Sequence, residues 1–348
     1  MTVTIVEAAR GVTGGVDTHL DVHVAAALDP RGGLLGSRPF AASVAGYEQL
    51  LGWLEEFGVV GRVGVEGTGA YGAGLARFLR GHGVEVLEVD RPNRALRRRV
   101  GKSDPLDAIE AARAVLSGRV QGVAKTRDGA VEAIRVLLVA KRSARQARGK
   151  AIIQMRHLGF TAPEEIRFKL RGLSVAALIS AGTDLHPEDS SDQVMAATMT
   201  SLRSLARRIR MLEGELGTLE EQIEDLVRAR APELLRIFGV GPDSAATLLV
   251  AAGDNPERLR SEAAWAHLCG VAPIEASSGK VTRHRLDRGG NREANAALFR
   301  IVLVRIAHDP ATKAYLERRT KEGRSKLEVI RILKRYVARE VYRQLPRR

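Results

Sequence analysis

A single cysteine, Cys269, stands in 348 residues, so no internal disulfide can form. It lies in an apolar helical pattern, AAWAHLCGV, where cysteine serves as small packing filler rather than as a reactive thiol. Long apolar runs are missing too. HVAAAL and ATLLVAA fall far short of the ~18 residues that a membrane span needs, and no leader-like segment is visible. These absences exclude a disulfide-stapled secreted scaffold and a helical membrane protein, and they imply a soluble, cytoplasmic chain. Acidic residues become scarce only late. From Lys280 to Arg348 there are 20 Lys or Arg against seven Asp or Glu, a net of +13 within a total of +14, which leaves +1 for the first 279 residues. A cationic excess concentrated in one region suits a polyanion, because each cation placed on a phosphate releases a counterion. A solvated basic helical surface is the plainer alternative.

What is present reads as a mixed α/β region followed by helices. VTGGVDTHLD and VHVAAALD are two β-like runs joined by a tight polar turn, and GLLGSRPFA is a third. SVAGYEQLLGWLEEF has helical spacing with Ser43 as candidate N-cap; RVGVEG returns to strand, AYGAGLARFLRGHG to helix and VEVLEVD to strand. From Pro92 onward nearly everything predicts helix. RPNRALRRRV, which holds Arg97, Arg98 and Arg99, is a basic helix. KSDPLDAIEAARAVL starts another, with Ser103 as N-cap and Pro105 in its first turn. Further helical patterns run through 129–158 and 174–181. Leu202, Leu205, Ile209, Leu212, Leu216, Leu219, Ile223 and Leu226 then alternate spacings of three and four, the seam of a coiled coil. The seam does not name its partner, which is either a second protomer or another helix of the same chain. ELLRIFGVGPDSAATLLVAAG reads as a helix-hairpin-helix whose Gly-rich turn can present backbone amides to phosphate. The expected domains are 1–125, 126–231 and 232–348.

Four carboxylates stand where a sheet would converge them. Asp17 lies near the end of the first strand run, Glu66 closes another in VGVEGTGAY, and Asp104 and Asp107 share one face of a helix's first turn. Each has an ordinary role open to it: the helix acids against the dipole, Asp17 in a turn. Glu66, a charge that ends an apolar strand between glycines, is the hardest to explain that way. Oxygen ligands from separate elements are what a two-metal Mg2+ site for phosphoryl transfer requires. Later, PIEASSGKVTRHR places Ser277 and Ser278 ahead of Lys280, Arg283, Arg285 and Arg288, with Arg292 and, upstream, Lys102 as further cationic candidates for nucleic acid. Locally, Ser-Gly reads as a turn, and no His or Asp base stands at a motif spacing; His284 in that basic loop suits phosphate or solvent.

GVDTHLDVHVAAALD, GVEGTGAYG, RPNRALRRRVGKSDPLDAIEAARAV, GVGPDSAATLLVAAGD and ERLRSEAAWAHLCGVAPIEASSGK, in this order over nearly the whole chain, resemble the insertion-sequence transposases related to the Piv-type DNA invertases. Leu20 departs from the lysine that many relatives carry, and a leucine replaces an aromatic ahead of Trp265. The resemblance implies an RNase H-like (RuvC-like) N-terminal fold whose DEDD tetrad, here Asp17, Glu66, Asp104 and Asp107, binds Mg2+ or Mn2+. It also implies a catalytic serine four residues after Pro273, which is Ser277, with Ser278 at a variable position. Finally it implies guidance by a noncoding bridge RNA that pairs with donor and target DNA, and dimers that join into tetramers in the nucleoid of a bacterium or archaeon. A serine–DNA ester conserves phosphodiester energy, which suits rejoining. A hydrolytic junction-resolving nuclease and a non-catalytic nucleic-acid-binding protein are the other readings. A sugar kinase, suggested by GVDTHLD and GTGAYG, gives the basic C-terminal region no role.

Overall fold

The computed structural model describes residues 11–89, 103–120, 122–255, 258–279 and 284–346. The chain forms two compact units. The first runs to Gly129 and takes back Ala252–Ser261; the second comprises Ala130–Ala251 and Glu262–Pro346.

The first unit is a mixed sheet with helices on both faces. Its order along the chain is β1 (Gly11–Thr18), β2 (Val22–Leu28), β3 (Leu34–Ala41), α1 (Val44–Glu55), β4 (Val59–Glu66), α2 (Ala73–Gly81), β5 (Glu85–Val89) and α3 (Asp104–Leu116). In space the strands run β3-β2-β1-β4-β5. The first three form an antiparallel meander, while β4 and β5 join β1 in parallel through helical crossovers. Ser43 caps α1 as its sequence predicts, accepting a hydrogen bond from the Gly46 amide at 3.2 Å. Ser103 occupies the N-cap of α3 with extended dihedrals but makes no capping bond.

Strand alternation divides the sheet's side chains between two cores. Val12, Val16, Ala25, Ala27, Val63 and Val65 face α1 and α2, with Leu50, Leu54, Leu75 and Leu79. Val24 and Ala26 face α3, against Ala108 and Ile109, and Leu87 and Val89 meet Ala111 and Val115. The side of β5 away from β4 is covered by residues 122–124: the Glu88 amide donates to the Gly122 carbonyl and Ala124 N to Val86 O. That stretch in turn holds the returning segment, since Asn255 donates to the Ala124 carbonyl at 3.0 Å and Arg258 to Val123 at 3.1 Å.

Helices dominate the second unit: α4 (Ala130–Thr161), α5 (Glu164–Leu170), α6 (Val175–Thr183), α7 (Gln193–Arg230), a single turn α8 (Pro232–Leu235), α9 (Pro242–Ala252), α10 (Glu262–Leu268), the two-residue strands β6 (Ile274–Glu275) and β7 (His284–Arg285), then α11 (Arg292–His308), α12 (Pro310–Lys321) and α13 (Lys326–Gln344). The seam of α7 meets α4. Lys141 pairs with Glu220 and Arg148 with Glu213, so positions ascend on one helix as they descend on the other and the hairpin is antiparallel. Leu202, Ile209, Leu212 and Ile223 of the seam are buried. The helix of the same chain thus covers part of the seam, while Leu205, Leu216, Leu219 and Leu226 are half-buried. The first arm of the expected helix-hairpin-helix is shorter than ELLRIF predicts. Only Pro232–Leu235 is helical, and Gly239 then turns the chain through the left-handed region at φ 82°. Farther on, Trp265 is fully buried and donates its indole N–H to the Ala338 carbonyl at 3.0 Å, fastening α10 to α13.

Candidate active site

The site of the first unit is set by two glycines. A Cβ on Gly15 would lie 2.2 Å from both Ala108 O and Ala112 N, and one on Gly64 would lie 2.9 Å from Ala111 O. Neighbouring strands β1 and β4 thus offer bare backbone to α3, and the alanines of α3 complete the close approach. Alternation by two places Asp17 on the face of Gly15 and Glu66 on the face of Gly64, both towards α3. The parallel register pairs Val16 with Val65, so Asp17 and Glu66 follow side by side at the strand ends. On the helix, Asp104 and Asp107 head the stripe that continues through Ala108, Ala111 and Ala112.

Burial and tethering fix these groups. Asp17 is 6% exposed and Asp107 4%. Thr18 donates its hydroxyl to the Glu66 carbonyl at 2.8 Å, tying the two strand ends, and Gly67 turns away at φ 69°. Thr68, also buried, donates to Glu88 Oε1 at 2.8 Å. Carboxylates at the first turn of α3 also face the positive end of its dipole.

Beside them stands a residue that the sequence reading passed over. His19, in the β1–β2 turn, brings Nε2 to 3.3 Å from Asp17 Oδ2 and 3.5 Å from Asp104 Oδ1. These three residues offer donor atoms that all lie within 4.8 Å of one another, a set that could hold a divalent cation. The structure therefore brings Asp17 and Asp104 together directly. Asp107 follows one helical turn later, and Glu66 stands on the adjacent strand.

In the second unit, β6 and β7 pair Ile274 with Arg285 and Glu275 with His284, and Ser277 and Ser278 are exposed in the connection between them. Arg285, Arg288 and Arg292 are exposed and make no ion pair among the described residues. Lys280 and Arg283, like Arg97, Arg98, Arg99 and Lys102, lie outside the described residues.

A family profile described as "Transposase", of the IS110 DEDD type, matches residues 14–158, and one described as "Transposase IS116/IS110/IS902 family" matches 231–317. Two separate regions of the chain thus match transposase domain profiles of the IS110/IS116/IS902 type. Among curated relatives it is similar to the "Insertion element IS110 uncharacterized 43.6 kDa protein" of Streptomyces coelicolor, 33% identical over 130 residues, which is 36% of this chain and 32% of the relative. It is also similar to the "Insertion element IS900 uncharacterized 42 kDa protein" of Mycobacterium paratuberculosis, 28% identical over 146 residues, 41% of this chain and 36% of the relative. The chain thus matches about a third of each relative's length.

The first profile spans all four carboxylates and His19, and the second spans Ser277. Within this IS110-type frame the second unit holds a further cationic feature that the sequence reading did not resolve from its basic surroundings. A cleft of about 410 Å3 is lined by Pro273 and Arg285 from the hairpin region and by Arg324, Arg331, Lys334 and Arg335 from α13 and the residues before it. Lys334 is half-buried and donates to Asn295 Oδ1 at 2.8 Å; burial holds its ammonium below the usual lysine range, and Arg331 adds to that. The i, i+3, i+4 recurrence of 331, 334 and 335 was the available signal. No helix among the described residues is long and apolar enough to cross a membrane.

Proposed function

We propose that this chain is a DNA transposase that cuts and rejoins strands through a serine–DNA ester, with Asp17, Glu66, Asp104 and Asp107 as the metal-binding tetrad of a RuvC-like domain. The observation that carries the reading is the convergence of Asp17, from a strand end, with Asp104, from the first turn of the helix packed on that strand's glycine. Mg2+ or Mn2+ bound there would polarise phosphoryl oxygens and offset developing charge. Ser277 Oγ forms the new phosphorus–oxygen bond, the phosphorus bond to the deoxyribose oxygen breaks, and the leaving oxygen takes up a proton as serine gives one up. Attack by the hydroxyl of a second strand end reverses these changes and frees the serine. Arg285, Arg288 and Arg292, with Lys280, Arg283, Arg97, Arg98, Arg99 and Lys102, contact the nucleic acid backbone; their support is the cationic excess of the C-terminal region and the basic run before α3. A noncoding bridge RNA and a dimer that pairs into a tetramer on DNA complete the proposal, resting on the family likeness.

The test is a denaturation-resistant protein–DNA adduct formed from purified protein, Mg2+, the element's DNA and its RNA. The adduct should vanish in Ser277→Ala and persist in Ser278→Ala. Asp17→Asn and Glu66→Gln should abolish it while RNA binding survives. Cleaved ends without an adduct would replace the proposal with a hydrolytic nuclease, and intact DNA with a non-catalytic binding protein.

A further inference from the structure

His19 has no place in the four-carboxylate scheme, yet its position is defined. The turn that carries it is closed by a hydrogen bond from its own amide to the Val22 carbonyl at 3.2 Å. Its Nε2 is enclosed, makes no hydrogen bond among the described residues, and faces Asp17 and Asp104 at 3.3 and 3.5 Å. For metal–ligand bonds of about 2.0–2.2 Å, neighbouring ligand atoms stand roughly 3.0–3.5 Å apart, depending on coordination geometry. The two separations from His19 lie in that range, and the donor atoms of Asp17 and Asp104 are within 4.8 Å of each other.

We propose that His19 Nε2 is a metal ligand beside Asp17 and Asp104, and that the resulting nitrogen–oxygen donor set favours Mn2+ over Mg2+. The inference rests on the assignment of Asp17 and Asp104 as metal ligands. Its chemical basis is ligand type. Mg2+ takes oxygen donors almost exclusively and keeps its waters, whereas Mn2+ and the later divalent ions accept imidazole nitrogen. A site of carboxylates alone has no such bias built in. Proximity to the β1 end also makes His19 a ligand fixed by the sheet, as Asp17 is.

The experiment uses the full chain, stripped with chelator and titrated with MnCl2 alone, in wild type, His19→Ala, His19→Gln and Asp17→Asn. Bound Mn2+ is read by electron spin echo modulation, which detects a directly coordinated 14N. Wild type should show nitrogen modulation; both His19 variants should lose it, with Mn2+ affinity falling at least about tenfold and Mg2+ affinity changing by less than about threefold. His19→Gln keeps a side chain of similar reach, so loss of modulation there, with unchanged thermal unfolding, separates ligation from folding. Mn2+ binding that is lost in Asp17→Asn but never shows nitrogen would overturn the role of His19 and leave the carboxylate site standing. Mn2+ binding indifferent to Asp17→Asn would overturn both.

Discussion

Gly15→Ala tests whether the helix that carries Asp104 and Asp107 is seated by a missing side chain. The new Cβ would meet Ala108 O and Ala112 N at 2.2 Å and Ala112 Cβ at 2.7 Å, where ordinary contact begins near 3.4 Å. Two of the three obstructing atoms are backbone, so no rotamer change relieves the overlap and α3 must withdraw by roughly 1 Å. Overpacking of this kind costs about 3 kcal/mol, which for a unit of this size lowers Tm by roughly 6–12 °C or more. With Asp104 and Asp107 as the metal ligands proposed above, a shift of that size costs on the order of 100-fold in rate, beyond any loss of folded protein. Gly61→Ala supplies the control, since a Cβ there meets nothing within 4 Å on the same sheet. Thermal unfolding and adduct formation would be measured for both variants below the lower Tm. The reasoning fails if Gly15→Ala matches Gly61→Ala in both measurements, or if Ala112→Gly alone restores the double variant, because the carbonyl of Ala108 would still obstruct.

Two predictions concern the second unit. Lys141, buried between α4 and α7, is held by Asp243 and Glu220. Burial pushes the Asp243 carboxyl up, but the hydrogen bond and charge of Lys141, then those of Arg145, outweigh it and leave the group below its usual range. That stability is present above the ordinary carboxylate pKa and is lost as pH falls through the lowered folded value. Lys141→Met should therefore cost about 1–3 kcal/mol at pH 7, with Arg145 and partial exposure moderating the loss, and less as pH falls below the ordinary carboxylate range. Urea unfolding at pH 7 and through the acid range decides, and a cost that does not fall with pH would refute the coupling. Trp265→Phe removes the bond to the Ala338 carbonyl and part of a fully buried ring, for about 2 kcal/mol; a loss under about 0.5 kcal/mol would mean that α10 is held to α13 by other contacts.

Much of the sheet was legible because strands and helices alternate with sharp signals: a polar turn after Asp17, Ser43 before an apolar helical stripe, glycines at the breaks. The seam of α7 was legible as a seam but not as a hairpin, because apolar spacing states that a face is covered and not by what. Its antiparallel partner emerges only from pairs far apart in sequence, Lys141 with Glu220 and Arg148 with Glu213. The return of Ala252–Ser261 to the first unit was illegible for the same reason. It depends on Asn255 and Arg258 satisfying carbonyls at Ala124 and Val123, and neither end of those bonds has a local pattern. The shortened arm before Gly239 was misjudged because ELLRIF has helical composition, while the left-handed glycine that follows limits how far it can run.

The candidate site shows the same division more sharply. Spacing alone gives Asp104 and Asp107 one helix face, and strand ends give Asp17 and Glu66 a common edge. What spacing cannot give is contact between helix and sheet, which here follows from side chains that are absent: Gly15 and Gly64 beneath Ala108, Ala111 and Ala112. Once that contact is known, parity puts positions 15 and 17 on the α3 face of β1, and His19, in the turn that follows the strand, lies against Asp17 and Asp104. A histidine two residues past a strand-end aspartate carried the signal, but in a turn of THLD it looked like a polar loop residue. Its meaning depended on which helix covers the strand, so the glycine that admits α3 is also what makes His19 part of the site.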